Sequence, residues 1–343
     1  MFEILGKHLE EEQAPLIVAE IGFNHNGDVG LAKKMMRAAA ENGADAVKFQ
    51  TFIGEELVSK LQTGDDPDHP GSEIPTYEFY QRYELTRGDY EALFRYGREL
   101  EIPVFSTPFD EGSLDMLVDL GMPAVKIASC DLTNLPFLKY VAQKNIPVVL
   151  SSGMGSLGEI ENALNIMRGE GNERIILLHC VSNYPAQHEE MNLMCLPSLE
   201  STFEVPVGLS DHSMDNLSSI LAVALGAVMI EKHFTTDRGL PGVDQSIAME
   251  SGDLKALKEA TSQVPKILGD GIKRVQPSEI ASKAGRRSLV AKVDISPGTA
   301  ITREMLSIKR PGTGISPENL ERVIGRQVKI AIGAEQVISW DMV

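Results

Sequence analysis

VPVGLSDHS (Val205 to Ser213) and AVMIEKHFT (Ala227 to Thr235) each pass through a short apolar run and reach a histidine, His212 in the first and His233 in the second. A run of four to eight Val, Ile and Leu residues bounded by polar ones reads as a fully buried strand. The same phrase recurs upstream in LIVAE (Leu16 to Glu20), DAVKFQ (Asp45 to Gln50), PVFST (Pro103 to Thr107), AVKIAS (Ala124 to Ser129), PVVLSS (Pro147 to Ser152) and IILLHC (Ile175 to Cys180). Segments such as VGLAKKMMRAAAENGA and TNLPFLKYVAQKN stand between them, with apolar residues at helical spacing and Gly or Asn at the end. This strand–helix alternation predicts a closed parallel (β/α)8 barrel. A doubly wound sheet fits less well, because no GxGxxG follows the first strand and because every strand ends in polar residues, rather than two at a switch point. A barrel gathers all its strand ends at one mouth.

Composition bounds the rest. With 343 residues, 43% of them hydrophobic, the chain can bury a large core and has room for a second, small domain. A net charge of −17 argues against nucleic acid or an anionic membrane as partner, so an anionic substrate must meet a locally basic pocket. The N-terminal MFEILGKHLEEEQ lacks the apolar core of a secretory signal and no stretch is long enough to span a bilayer, which predicts a cytoplasmic protein. Cys130, Cys180 and Cys195 have no paired or metal-ligand spacing and read as reduced, mostly buried thiols.

The barrel pattern runs out near Ile267, so residues 1–267 are read as the catalytic domain. A Gly-, Ser- and Lys/Arg-rich stretch over 268–287 reads as a linker. From Ser288 to Val343, short strand signals with Pro-Gly and Gly turns (LVAKVDISPGTAIT, MLSIKRPGTGIS, VKIAIGAEQVISWDMV) predict a β-rich domain near the lower size limit for a self-sufficient core. After the second strand, Ile53 to Leu85 is too long for a plain connection and should overhang the mouth.

Two histidines at neighbouring strand ends suggest a metal site, and the alternative is a pair of hydrogen-bonded strand-end imidazoles. Lys48 and Lys126 lie near the ends of apolar strands, where an ammonium must find an anion or bear several kcal/mol of desolvation, roughly. Glu20 ends the first run and could act on a reacting water, pair with Lys48 or cap a helix. His179 precedes its strand end and reads as a core or supporting histidine, while His25, His69 and His188 read as solvated loop side chains.

AEIGFNHNGD, KFQTF, FSTPFD, KIASCD, HCVSNYP, GLSDHS, EKHFT and IKRPGTGIS, in this order along nearly the whole chain, resemble the sialic acid synthase family. That family condenses phosphoenolpyruvate with an N-acylated hexosamine to give nonulosonic acids. The resemblance implies a (β/α)8 barrel followed by a small antifreeze-like SAF domain, and a homodimer in which the SAF domain reaches over the partner's barrel. It further implies that His212 and His233 hold a divalent metal, Mn2+ or Mg2+, and that Glu20, Lys48, Lys126 and Asp131 are catalytic. Phosphoenolpyruvate would be held by Lys48, Gln50, Thr107, Lys126, Ser129, Ser210 and, as an addition, Ser152; the sugar would be held by Tyr184, Asp244 and Arg310. The chain departs from the N-acetylneuraminate type at Cys130 and Asp131, where that type has Gly-Glu, at Ser182 and at Gln245. These departures lean toward 2,4-diacetamido-2,4,6-trideoxymannose, the legionaminate precursor, over N-acetylmannosamine or a pseudaminate precursor. Competing readings are a 3-deoxy-sugar phosphate synthase, which would need a second basic cluster, a Schiff-base aldolase using Lys126, and a non-catalytic carbohydrate-binding or antifreeze-like protein.

Overall fold

The computed structural model of the chain describes residues 2–9, 14–65 and 71–343. Eight parallel strands close on themselves: β1 (Leu16–Gly22), β2 (Ala46–Thr51), β3 (Val104–Pro108), β4 (Val125–Ile127), β5 (Val148–Ser151), β6 (Ile175–Cys180), β7 (Val207–Asp211) and β8 (Met229–His233). They pair in chain order, and β8 returns to β1 with Met229 opposite Leu16 and His233 opposite Glu20. The predicted runs match these strands to within two or three residues, except that β1 continues to Gly22, with a register irregularity between Glu20 and Gly22. Glu20 therefore lies inside the strand rather than at its end.

Why these segments form these elements is legible locally. All of β1 is buried, as a strand covered on both faces must be, which is why it reads as an apolar run broken only at Glu20. Helix α1 (Val29–Glu41) begins where Asp28 accepts a bond from the Gly30 N–H and buries Ala32, Met35, Met36 and Ala39 at helical spacing. Each such methionine contributes roughly 1.5–3 kcal/mol by leaving water. A carboxylate in place of Met35 would forfeit that and add an unpaired buried charge. Around the barrel follow α2 (Arg87–Glu99), α3 (Glu111–Asp119), α4 (Leu135–Gln143), α5 (Leu157–Gly169), α6 (Cys195–Phe203), α7 (Leu217–Ala224) and α8 (Ser251–Leu268). Reciprocal capping pairs, Thr86 with Asp89 and Ser156 with Glu159, start α2 and α5.

The insertion over 53–85 carries two short helices, Gly54–Leu57 and Thr76–Gln81, and a small antiparallel ladder, Thr63–Asp65 with Glu73–Pro75. Phe23, Phe52, Phe79, Tyr80 and Tyr83 knit it to the loops after β1 and β2, with ring centroids 5.1–5.9 Å apart.

The chain divides into two compact units, Met1–Gly269 and Asp270–Val343. The segment read as a linker falls mostly in the second unit and forms two 3-10 turns, Pro277–Glu279 and Ala281–Gly285. The second unit pairs β9 (Ser288–Ala291) with β10 (Leu306–Lys309) antiparallel and has its own core of residues such as Leu289, Ile301, Ile315, Val323, Ile332 and Ile338. Among the described residues no helix is long and apolar enough to cross a membrane.

Candidate active site

Side chains along a strand alternate between faces, and in this barrel the polar inward ones converge on a cavity of about 780 Å³. Lys48 and Gln50 of β2, Thr107 of β3, Lys126 of β4, Ser151 of β5, Ser210 of β7, and Glu231 and His233 of β8 all line it. Glu20, Ser129, Tyr184, His212 and Asp244 complete the predicted residues found there, and the insertion adds Leu57, Val58 and Tyr80.

At the centre lies a buried group of two ammoniums and two carboxylates. Lys48 Nζ is 2.7 Å from Glu20 Oε2 and 3.5 Å from Glu231 Oε1, and donates to Thr107 Oγ1 at 3.0 Å. Gln50 Nε2 donates to Glu20 Oε1 at 3.1 Å. Lys126 Nζ is 3.6 Å from Glu231 Oε1, which also accepts from Ser210 Oγ at 3.3 Å. Burial pushes Glu20 up to about 7, against the pull of Lys48 and with the push of Glu231. Burial would also raise Glu231, but Lys126 and Lys48 outweigh it and hold this carboxyl below its ordinary value. Burial holds Lys126 below the usual lysine range; Glu231 opposes the shift and Lys48 adds to it. The cluster is thus a partly compensated cationic pair, and an anion entering between the lysines would relieve the desolvation of Lys126.

The histidines stand beside it. His212 Nδ1 is 2.8 Å from the Val181 carbonyl, which can only accept, so this nitrogen carries a proton. Burial would lower this imidazole, but Cys180 and that carbonyl outweigh it and hold it above its ordinary value, and Nε2 is the nitrogen a cation would engage in place of a second proton. His233 is held well below the ordinary histidine range, first by burial and then by the neighbouring His212 and lysines, and its ring is neutral. Its Nδ1 is buried with no hydrogen-bond partner among the described residues and lies 3.6 Å from Asp244 Oδ2, whose carboxyl burial pushes up to about 6. The ring centroids are 5.6 Å apart. Two imidazoles with open nitrogens fit a divalent cation that keeps other positions for water and substrate. Among the described residues no group of three or more His, Cys, Asp or Glu side chains forms the closed cage a structural zinc requires.

Three predicted residues lie elsewhere. Ser152 does not line the cavity: its hydroxyl donates to the Leu178 carbonyl at 2.9 Å, and Ser151, one residue earlier and on the opposite face, lines it instead. Asp131 sits in the 3-10 turn Ser129–Asp131 after β4, outside the lining, and accepts from Asn134 Nδ2 at 3.0 Å. Arg310 belongs to the second unit. Of the departures from the N-acetylneuraminate pattern, Cys130 and Ser182 line the cavity, whereas Gln245 is buried away from it, donating to the Asn24 carbonyl and accepting from Thr235. Tyr184 lies against His212 with ring centroids 4.0 Å apart.

Two expectations need correction. His25 is not a solvated loop side chain: successive turns from Ile21 to Asp28 fold it inward, its Nδ1 accepts from the Gly27 N–H at 3.0 Å, its ring meets Phe49, and burial lowers its pKa to about 4. Nor are the thiols mostly buried, since only Cys180 is; Cys130 is exposed and Cys195 half-buried. His188 is exposed beside Asp215, His179 is bonded to the Met191 carbonyl, and His69 lies outside the described residues. Besides Ser151, the charged residue missed by sequence reasoning is Glu231. It lies two positions before His233, and the period of two that places His233 in the cavity places Glu231 there too.

Residues 35–273 match the NeuB family and residues 286–343 the SAF domain. The N,N'-diacetyllegionaminic acid synthase of Campylobacter jejuni is 41% identical over 91% of this chain and 95% of its own length. That of Legionella pneumophila is 39% identical over 95% and 93%. The human N-acetylneuraminate-9-phosphate synthase is 34% identical over 98% and 95%. Among solved structures, the N-acetylneuraminic acid synthetase of Leptospira borgpetersenii is 37% identical with a TM-score of 0.71, covering 79% of this chain and 90% of that one. With its barrel, its lysine–carboxylate cluster and its trailing β-rich unit, the chain belongs to the NeuB family of sialic and nonulosonic acid synthases and carries a C-terminal SAF domain.

Proposed function

We propose that this enzyme condenses phosphoenolpyruvate with 2,4-diacetamido-2,4,6-trideoxymannose to give N,N'-diacetyllegionaminate and phosphate. The observation that carries the acceptor is the distribution of charge in the cavity. Lys48 and Lys126 are its only lining lysines or arginines among the described residues, and both face carboxylates within the cluster. The enol phosphate takes up both cations, and among the described residues the cavity lining offers no second basic group for a phosphorylated sugar. The remaining wall, with Phe23, Leu57, Val58, Tyr80, Val243 and Ile247, is apolar and suits the C6 methyl and acetamido methyls of a neutral deoxysugar.

In this reading Lys48 and Lys126, with Gln50, Thr107, Ser129 and Ser210, bind the phosphate and carboxylate of phosphoenolpyruvate. The C3 methylene of the enol forms a bond to the aldehyde carbon of the sugar, water adds at C2, and the C2–O bond breaks as phosphate leaves. His212 and His233 would hold Mn2+ or Mg2+, and such an ion supplies Lewis-acid polarisation of the aldehyde oxygen. Glu20, lifted toward neutrality by burial, would take the proton of the attacking water. Tyr184 and Asp244 orient the sugar, and Arg310 from the SAF domain of a partner copy holds an N-acyl carbonyl.

The test is phosphate release with Mn2+ and each of four additions: the diacetamido-trideoxymannose, its altro isomer, N-acetylmannosamine and N-acetylmannosamine 6-phosphate. Release that depends on the first is expected. Preference for the 6-phosphate would overturn the acceptor assignment, and absence of sugar-dependent release would overturn the reaction.

A further inference from the structure

The strand ends that carry the two histidines have a second, outward face. On it Leu209 and Ile230 are apolar, but the next pair in register, Asp211 and Lys232, is charged. Both are almost fully buried, with side chains 0% and 2% exposed, and neither lines the cavity. Lys232 Nζ lies 3.1 Å from Asp211 Oδ2 and donates to the Ser213 carbonyl. Asp211 also accepts from the Ser213 N–H at 2.8 Å, the Ser213 hydroxyl at 2.7 Å, and the Ser219 hydroxyl in the first turn of α7. No oxygen of this carboxylate is left without a donor.

A buried ion pair is a poor way to gain stability, because a well-packed apolar pair of the same volume usually does as well or better; its best-attested use is to fix register. Here the register it fixes is that of the histidines. His212 is enclosed between Asp211 and Ser213, both held in the network, and His233 directly follows Lys232. We propose that the Asp211–Lys232 pair, with Ser213 and Ser219, is a positioning device that sets the spacing of His212 and His233 for one shared divalent cation. The proposal rests on the reading of those histidines as the cation's ligands.

The test is Mn2+ affinity of the full-length protein, read from the electron paramagnetic resonance of free Mn2+, with melting midpoints measured alongside. His212→Ala and His233→Ala should abolish the site. Lys232→Met, and the apolar pair Asp211→Leu with Lys232→Met, should weaken Mn2+ binding by about 10- to 100-fold, as loss of groups that orient metal ligands does. The apolar pair, which leaves the Ser213 and Ser219 donors without their acceptor, should melt somewhat lower but stay folded throughout the assay range, and excess Mn2+ should recover its turnover. Wild-type affinity in both lysine variants, with affinity lost in the histidine variants, would overturn the positioning role and leave the ligand reading standing. Unchanged affinity in the histidine variants would overturn both. Weakening only in variants that melt within the assay range would assign the pair to stability and also overturn the proposal. Should the apolar pair not fold, Ser219→Ala, which removes a single donor to Asp211, decides: a several-fold weakening supports the proposal and unchanged affinity overturns it.

Discussion

The barrel holds two carboxylates that each face two lysines, and they are built in opposite ways. Asp45, at the N-terminal end of β2, accepts from Lys7 at 2.7 Å, from Lys258 of α8 at 2.5 Å and from the Ile17 N–H at 2.8 Å. Its lysines are about a third exposed, so water shares their solvation. Glu231, in the cavity, has its lysines at 3.5 and 3.6 Å, both almost fully buried, and its Oε2 has no hydrogen-bond partner among the described residues. The first arrangement is closed and ties the N-terminal hairpin, Glu3–Ile4 paired antiparallel with Lys7–His8, to the barrel and α8. The second is loose: its lysines keep capacity for another anion, and Glu231 Oε2 lacks a donor, an arrangement that is costly in a buried site until a bound ligand or water supplies the missing partners. The same residue types thus make a lock at one end of the barrel and a receptive pocket in the cavity.

Substitutions should separate the two. Lys48→Met removes the closest cation of Glu20 and, in the proposed reaction, a ligand for the enol phosphate; phosphate release should fall about 10²- to 10³-fold, as for loss of a preorganised charge-stabilising donor. A milder loss than tenfold would erase the contrast with Asp45. The next effect is acid sensitivity near the mouth. His25 has a folded pKa of about 4, below its ordinary 6.5, so the unfolded chain binds more protons between those values and stability falls as pH drops through that window. The full shift corresponds to about 3 kcal/mol. Melting curves from pH 7 to 4 should show the loss, His25→Gln should flatten the slope, and amide exchange should rise first around residues 21–28.

Gly153→Ala should act next. A Cβ there would meet Ser182 Oγ at 2.2 Å and Ser129 Oγ at 2.7 Å, so both hydroxyls, which line the cavity, must leave their present positions. Overpacking of this kind costs about 1–3 kcal/mol, and the Michaelis constant for phosphoenolpyruvate should rise while the melting midpoint falls modestly. An unchanged Michaelis constant would remove Ser129 from the binding set. The smallest effect belongs to Lys258→Met. One of three bonds to Asp45 is lost from a part-exposed lysine, so about 0–1 kcal/mol of stability should go, with turnover unchanged. A large fall in turnover would show that the two ends are not separate.

Most of the barrel was legible because fully buried parallel strands read as apolar runs, and Lys48, Lys126, His212 and His233 were legible because they interrupt or end such runs. Where reading failed, the reason was facing or tertiary folding. Ser151 and Ser152 are adjacent serines, and only strand parity tells which one faces inward. Glu231 and Lys232 are adjacent charges of which one serves the cavity and the other the outer network. Asp131 follows the strand end, where a 3-10 turn breaks the parity. His25 sits in a polar loop whose inward fold depends on Phe49 of the next strand, a contact no local pattern announces.

The most direct test of the central claim follows the bridging oxygen of phosphoenolpyruvate. With substrate labelled with oxygen-18 at that position, the diacetamido-trideoxymannose and Mn2+, this account predicts that the label leaves with inorganic phosphate and that the nonulosonate C2 oxygen comes from water. Label retained in the nine-carbon product would mean that the P–O bond breaks instead, and would contradict the assigned reaction.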